Sequence, residues 1–156
     1  MKNKKGFTLI ELLVVIAIIG LLSTLAVVAL NNARAKSRDA RRVSDIKQVQ
    51  TALELYLNDR SAYPTNGALV AGNCTVAGFV SIGGACINSG GAALVTTCPA
   101  GNTYMASAPT DPLTTAAYCY RYDSATSYSL RYVLEGETAG LAAGLNTATP
   151  AGIADN

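Results

Sequence analysis

Residues Phe7–Leu30 form a 24-residue run in which Glu11 is the one charged side chain. About 20 apolar residues suffice to carry a helix across the hydrocarbon core of a bilayer. Inside lipid the backbone must satisfy its own hydrogen bonds, so a lone span of this kind is helical. No proline precedes Pro64, and Gly20 is the sole glycine between Phe7 and Asn66. The sequence therefore predicts a helix from about Thr8 to Leu57, a rod of roughly 75 Å at 1.5 Å per residue. Glu11 is the anomaly. A carboxylate in hydrocarbon costs at least ~2.5 kcal/mol and marks a site with a partner cation. Its place in the first helical turn lets the helix dipole favour the anion.

The residues around Glu11 form a pattern. A basic leader, Met1-Lys-Asn-Lys-Lys-Gly6, precedes Phe7-Thr8-Leu9-Ile10-Glu11. The segment Lys4-Lys5-Gly6-Phe7-Thr8-Leu9-Ile10-Glu11 resembles the processing site of the type IV pilin family, which comprises type IV pilins and the pseudopilins of type II secretion. The resemblance continues less tightly through Arg38-Asp39-Ala40-Arg41 and Ser61-Ala62-Tyr63-Pro64, and faintly at Pro109-Thr110-Asp111-Pro112. It implies cleavage between Gly6 and Phe7 by a membrane-bound prepilin peptidase, followed by methylation of the new Phe7 amine. It further implies that Glu11 pairs with the Phe7 amine of a neighbouring copy in a helical homo-oligomeric filament. Membrane lipid would surround the helix before assembly, and an inner-membrane assembly platform would receive it. Many members carry a proline further along this helix; here Val28 occupies that stretch, so no proline break is expected.

Two plainer readings compete. A secretory signal peptide also has a basic start and an apolar run, and Ala33-Arg34-Ala35 offers a small-x-small cleavage site. Its apolar region spans only 7–15 residues, however. A simple membrane anchor explains the length but neither Gly6-Phe7 nor Glu11.

Beyond residue 30 the helix changes character. Val43, Ile46, Val49, Leu53, Tyr56 and Leu57 recur at steps of three or four and share one face. That stripe predicts a seat for a small head. Pro64 disfavours helix at Tyr63, so the helix should stop near Asp59–Ser61. The Arg34–Arg42 cluster reads as a solvated face meeting lipid headgroups or a neighbouring subunit, and Asp39–Arg42 and Arg41–Asp45 stand at pairing distance along it.

Residues 65–117 are rich in Gly, Ala, Ser and Thr, with short apolar runs at Val76–Ile82 and Ala92–Thr97 punctuated by Gly-Gly turns, and read as a loop region with one or two short strands stapled by cysteines. The strongest strand signal follows. Tyr118, Tyr120 and Tyr122 alternate with Cys119, Arg121 and Asp123, and Tyr128, Leu130, Tyr132 and Leu134 alternate beyond a short turn, which predicts a hairpin. Gly136–Asn156 has few bulky residues and reads as a flexible tail or at most an edge strand. The expected fold is α+β, a long N-terminal helix packed against a small antiparallel sheet. Its regions are a leader (1–6), an apolar helix (7–30), an amphipathic continuation (31–60), a head (61–135) and a tail (136–156).

Four cysteines, Cys74, Cys86, Cys98 and Cys119, lack the close pairs of a zinc site. An even count beyond an export-type segment favours two disulfides. Three connectivities are open, and chain closure favours neighbours, Cys74–Cys86 and Cys98–Cys119. Counting Lys and Arg on the two flanks of the apolar run would place the far flank inside. The cysteines and the leader's need to meet its peptidase place it outside.

The chain has 12 basic and 10 acidic residues, a formal +2. Loss of Lys2, Lys4 and Lys5 with the leader leaves nine against ten, a formal −1. No global field then favours nucleic acid. The absence of histidine removes Ser-His-Asp and Cys-His catalysis. Asp111, Asp123, Glu135 and Glu137 are scattered carboxylates with no nucleophile beside them, too sparse for the six to eight oxygens of calcium. The reading is a non-enzymatic type IV pilus subunit without a cofactor, serving adhesion, motility or DNA uptake. Alternatives are a type II secretion pseudopilin and a monomeric membrane-anchored extracytoplasmic binding module.

Overall fold

The computed structural model of the chain describes residues 6–67, 69 and 72–155. Met1–Lys5 of the expected leader, and Asn156 of the expected tail, lie outside the described residues. The chain divides into two compact units at the Ala35–Lys36 junction.

One helix, α1 (Leu9–Arg60), begins in the first unit and ends in the second. No residue within it removes a backbone donor, which is why it runs 52 residues. It stops where Ser61 turns to φ 56°, a left-handed cap in which the Ser61 amide donates to the Leu57 carbonyl at 2.7 Å. Within the first unit the apolar side chains from Phe7 to Leu30 lie open on every side. An all-round apolar helix belongs in lipid or against other helices.

In the second unit the helix buries the predicted stripe. Val43, Ile46, Val49, Leu53 and Tyr56 are all buried, and Leu57 packs at its margin. Opposite stand five antiparallel strands in the order β1-β4-β5-β6-β7: β1 (Val80–Ser81), β4 (Cys119–Ser124), β5 (Ser127–Leu134), β6 (Gly144–Thr149) and β7 (Gly152–Asp155). A two-stranded ladder, β2 (Ile87–Asn88) with β3 (Thr103–Met105), sits apart. The expected hairpin forms, with Tyr120 opposite Leu130 and Tyr122 opposite Tyr128. Tyr120, Tyr128, Leu130, Tyr132 and Leu134 turn inward and bury completely or nearly so. Phenols of the core find acceptors: Tyr118 donates to Asp45 at 2.9 Å, Tyr120 to the Pro64 carbonyl at 2.5 Å, Tyr63 to Glu54 at 2.8 Å and Tyr56 to the Gly91 carbonyl at 2.8 Å. Fold and sequence agree on a long helix against a small antiparallel sheet, a pilin-like α+β arrangement.

Three expectations need correction. Residues 136–155 are not a flexible tail, since they carry two strands. Five residue pairs tie β6 to β5, and β7 pairs with β6 in turn. The backbone ladder supplies what these small side chains lack. Small size is also needed, because Ala148 is fully buried and Gln50 of the helix donates to the Thr149 carbonyl at 2.9 Å. The head therefore extends well past residue 135. The run Ala92–Thr97 forms no strand, contributing isolated bridges at Ala93 and Val95.

The cysteines do not pair with their neighbours. Cys74 joins Cys119, and Cys86 joins Cys98. Cys119 projects from the outer face of β4, so its partner comes from the loop lying over that face. The first bridge closes a separation of 45 residues and the second one of 12. In the chain-entropy account these contribute about 4 and about 3 kcal/mol respectively.

Candidate functional site

Two constellations stand out, one in each unit. In the first, Gly6, Phe7 and Thr8 precede the helix without regular structure, and Gly6 and Phe7 are exposed. A protease needs such extended, accessible backbone at the bond it cuts. Thr8 is the N-cap. Its Oγ1 accepts from the Glu11 amide at 3.3 Å, and its own amide donates to Glu11 Oε2 at 2.8 Å. The Thr8 hydroxyl also donates to the same Oε2 at 2.6 Å. This is a capping box, in which two orphan donors of the helix start are satisfied reciprocally. All three bonds use Thr8, and both bonds to the carboxylate use Oε2 of Glu11. Among the described residues, Oε1 has no partner. Sequence reasoning singled out Glu11 but missed Thr8, although Thr-x-x-Glu before an apolar run is the signature of this cap.

The second constellation surrounds Arg42, whose side chain is 1% exposed. Its Nε and Nη2 grip Asp111 in a bidentate pair at 2.7 and 2.9 Å, and its Nη1 donates to Asp39 and to Glu135, each at 2.7 Å. Asp39 in turn accepts the Glu135 amide at 3.0 Å and the Gly136 amide at 2.9 Å. Arg38 donates from Nε to Glu135 at 2.8 Å and from Nη2 to its other oxygen. Asp111 lies between Pro109 and Pro112 and accepts the Leu113 amide at 2.8 Å, a turn that fixes its carboxylate. Helix and sheet are thus joined by an ion cluster at one end of the apolar stripe.

This corrects the reading of the Arg34–Arg42 face. Arg42 is a core residue, and Arg38 is committed to Glu135; Arg34, Lys36 and Arg41 remain on the exposed side. Asp111 and Glu135, read from sequence as isolated carboxylates, converge with Asp39 on one guanidinium. Among the described residues no group of three or more Asp, Glu or Cys side chains has a metal-binding arrangement. The cluster raises the Arg42 pKa, chiefly through Asp111 and against the cost of burial.

Arg38, and then Arg42, hold the Glu135 carboxyl down to about 2. A carboxyl depressed on folding contributes stability that is complete above its ordinary value near 4.3 and is lost as pH falls toward the folded value. Between pH 5 and pH 2.5 the head should therefore lose stability on the order of 1 kcal/mol from this group, after screening at a part-exposed site. Urea midpoints at the two pH values check this. Glu135→Gln should lower the midpoint at pH 5 and flatten its dependence on pH; an unchanged slope in that variant would assign acid sensitivity elsewhere.

A family model described as the prokaryotic N-terminal methylation motif matches residues 1–27. The chain carries an N-terminal methylation motif. Its Gly6-Phe7 junction and the Thr8–Glu11 cap fall inside that match. The chain is 41% identical across 73 residues to "Type II secretion system core protein G" of Dickeya chrysanthemi, covering 44% of this chain and 48% of the relative. The protein of the same name from Escherichia coli (strain K12) is 44% identical over 63 residues, covering 40% and 43%. "Type IV major fimbrial protein FimA" of Dichelobacter nodosus is 46% identical over 56 residues, covering 36% of each chain. The chain spans less than half the length of these relatives. No solved structure matches it.

Proposed function

We propose that the chain is a structural subunit of a type IV pilus, not an enzyme. In this reading it waits in the inner membrane as a single-span protein with lipid around Phe7–Leu30. Prepilin peptidase cleaves between Gly6 and Phe7, and the Phe7 amine is methylated. The assembly platform then extracts the helix from lipid into a helical homo-oligomer, with the disulfide-stapled head facing solvent on an extracellular filament.

One observation carries the proposal: the methylation motif opens a helix whose apolar side chains lack any covering in the single chain. Lipid covers them before assembly and other helices cover them afterwards. Glu11 fits the exchange, because Oε2 caps its own helix while Oε1 stays open to the amine of another copy.

A second reading, the pseudopilin, is favoured by the number of relatives named core protein G. Their similarity covers less than half of this chain, and FimA is similar over a comparable share. The two readings differ in where the filament ends up, at the cell surface or within the periplasm.

Intact mass of protein sheared from the cell surface tests the main reading. The expected mass is that of Phe7–Asn156 plus one methyl group, less the four hydrogens of two disulfides. Protein still beginning at Met1 would overturn processing. Processed protein confined to the envelope, and dependent on an outer-membrane secretin, would favour the pseudopilin.

A further inference from the structure

The outer face of the sheet holds a groove of about 290 Å³. Its walls are unusual for a surface. Outside the N-terminal helix few large apolar residues are exposed, and three of them, Val76 (42%), Val133 (45%) and Leu145 (40%), line this groove. Val133 and Leu145 are direct cross-strand partners. The Cys74–Cys119 disulfide forms another wall.

A charge sits among them. Arg131 lies two pairs along from Val133 and Leu145, on the same face of the sheet, between Cys119 on β4 and Thr147 on β6. Among the described residues Arg131 has no hydrogen-bond acceptor and no ion-pair partner, and its Nε is shut off from solvent. The Thr147 hydroxyl beside it is also buried without a partner. The Phe79 ring holds the guanidinium in place at 4.6 Å. Arg121, over the same ring at 4.7 Å, differs in being neutralised by Asp123 at 2.5 Å. A guanidinium that is oriented, half-covered and uncompensated lacks one negative charge.

We propose that this groove binds a small apolar monocarboxylate, with the carboxylate on Arg131 and the apolar body against Val76, Val133 and Leu145. The single uncompensated cation sets the charge. The volume, at the small end for a ligand site, sets the size at about one ring or one branched chain.

The test uses the full chain in a non-ionic detergent, with methyl-labelled Val and Leu, titrated with 3-phenylpropionate and, separately, with 3-phenylpropionamide. The expected result is saturable shifts at Val76, Val133 and Leu145 with the carboxylate and at least about tenfold weaker binding of the amide. Arg131→Gln should weaken the carboxylate to the level of the amide, and Arg131→Lys should lie between. The proposal is overturned if the shifts do not saturate, if acid and amide bind alike to the unaltered chain, or if Arg131→Gln binds as well as the parent. It is also overturned if the same methyl groups shift with protein concentration and no probe, since the groove would then hold a second copy.

Discussion

Cells producing the Glu11→Leu chain are expected to carry few or no filaments while holding normal amounts of the protein in their membranes. Leucine suits a lipid-exposed helix better than glutamate does, so insertion and storage should not suffer. Assembly is another matter. In the proposed filament the Phe7 amine of one subunit enters the helix bundle and meets the Glu11 carboxylate of another. Without the carboxylate that ammonium is buried unpaired, which costs about 3–5 kcal/mol per subunit where one partner of a buried pair is removed. Each 1.4 kcal/mol changes an association constant about tenfold, so growth should fall by about a hundredfold or more. Two companions separate the pairing from the cap. Thr8→Ala removes the hydroxyl that bonds Oε2 and should cost the helix start ~1 kcal/mol, leaving filaments present. Glu11→Gln keeps hydrogen-bonding capacity without the charge and should behave much more like Leu than like the parent. Sheared filaments counted by electron microscopy against membrane-fraction protein decide the matter. Filaments of normal abundance in Glu11→Leu would remove the ion pair from the mechanism.

How far the sequence announces this molecule depends on how local each signal is. The helix is legible because its requirements are local: no proline before Pro64, and an apolar stripe from Val43 to Tyr56 that one face must bury. The Tyr118–Leu134 hairpin is legible for the same reason, since alternation and a short turn suffice. The strands at Gly144–Thr149 and Gly152–Asp155 are not. Their side chains are too small to signal burial, and what holds them is the ladder to β5, which no composition reveals. Loop entropy alone misjudges the cysteines, because the 74–79 loop is laid across the sheet and brings Cys74 to Cys119, 45 residues away. At the helix start, Thr8 was readable as a cap and was masked by the conspicuous Glu11. Arg42 resembles its exposed neighbours in sequence. Only the arrival of Asp111 and Glu135, from 69 and 93 residues further along, makes it interior.

Arg42→Met should be the most damaging single substitution in the head. The methionine fills similar space, so the loss is electrostatic rather than one of packing. Asp39, fully buried, and Asp111, with a side chain 1% exposed, would be left facing each other without a cation. Removing one partner from a buried ionic group costs ~3–5 kcal/mol, a large share of the ~5–15 kcal/mol that holds a typical domain. Arg38→Ala, by contrast, breaks a part-exposed pair and should cost no more than about 1 kcal/mol. Near-UV dichroism of the head tyrosines, followed through denaturant, reports both. Arg42→Lys tests geometry, because an ammonium cannot reproduce the bidentate grip on Asp111 and should recover only part of the loss. The combination Arg42→Met, Asp39→Asn and Asp111→Asn tests the cause. If uncompensated charge is the damage, the triple variant should be more stable than Arg42→Met alone. What it should not recover is the seat of the helix. Asp39 binds the backbone at Glu135 and Gly136, and Arg42 binds Asp111, so the four groups fix where Lys36–Arg60 sits along the sheet. An apolar stripe by itself tolerates sliding by a turn; a fork that must meet two carboxylates does not. Should Arg42→Met melt within 1 kcal/mol of the parent, the helix would be held by its apolar face alone.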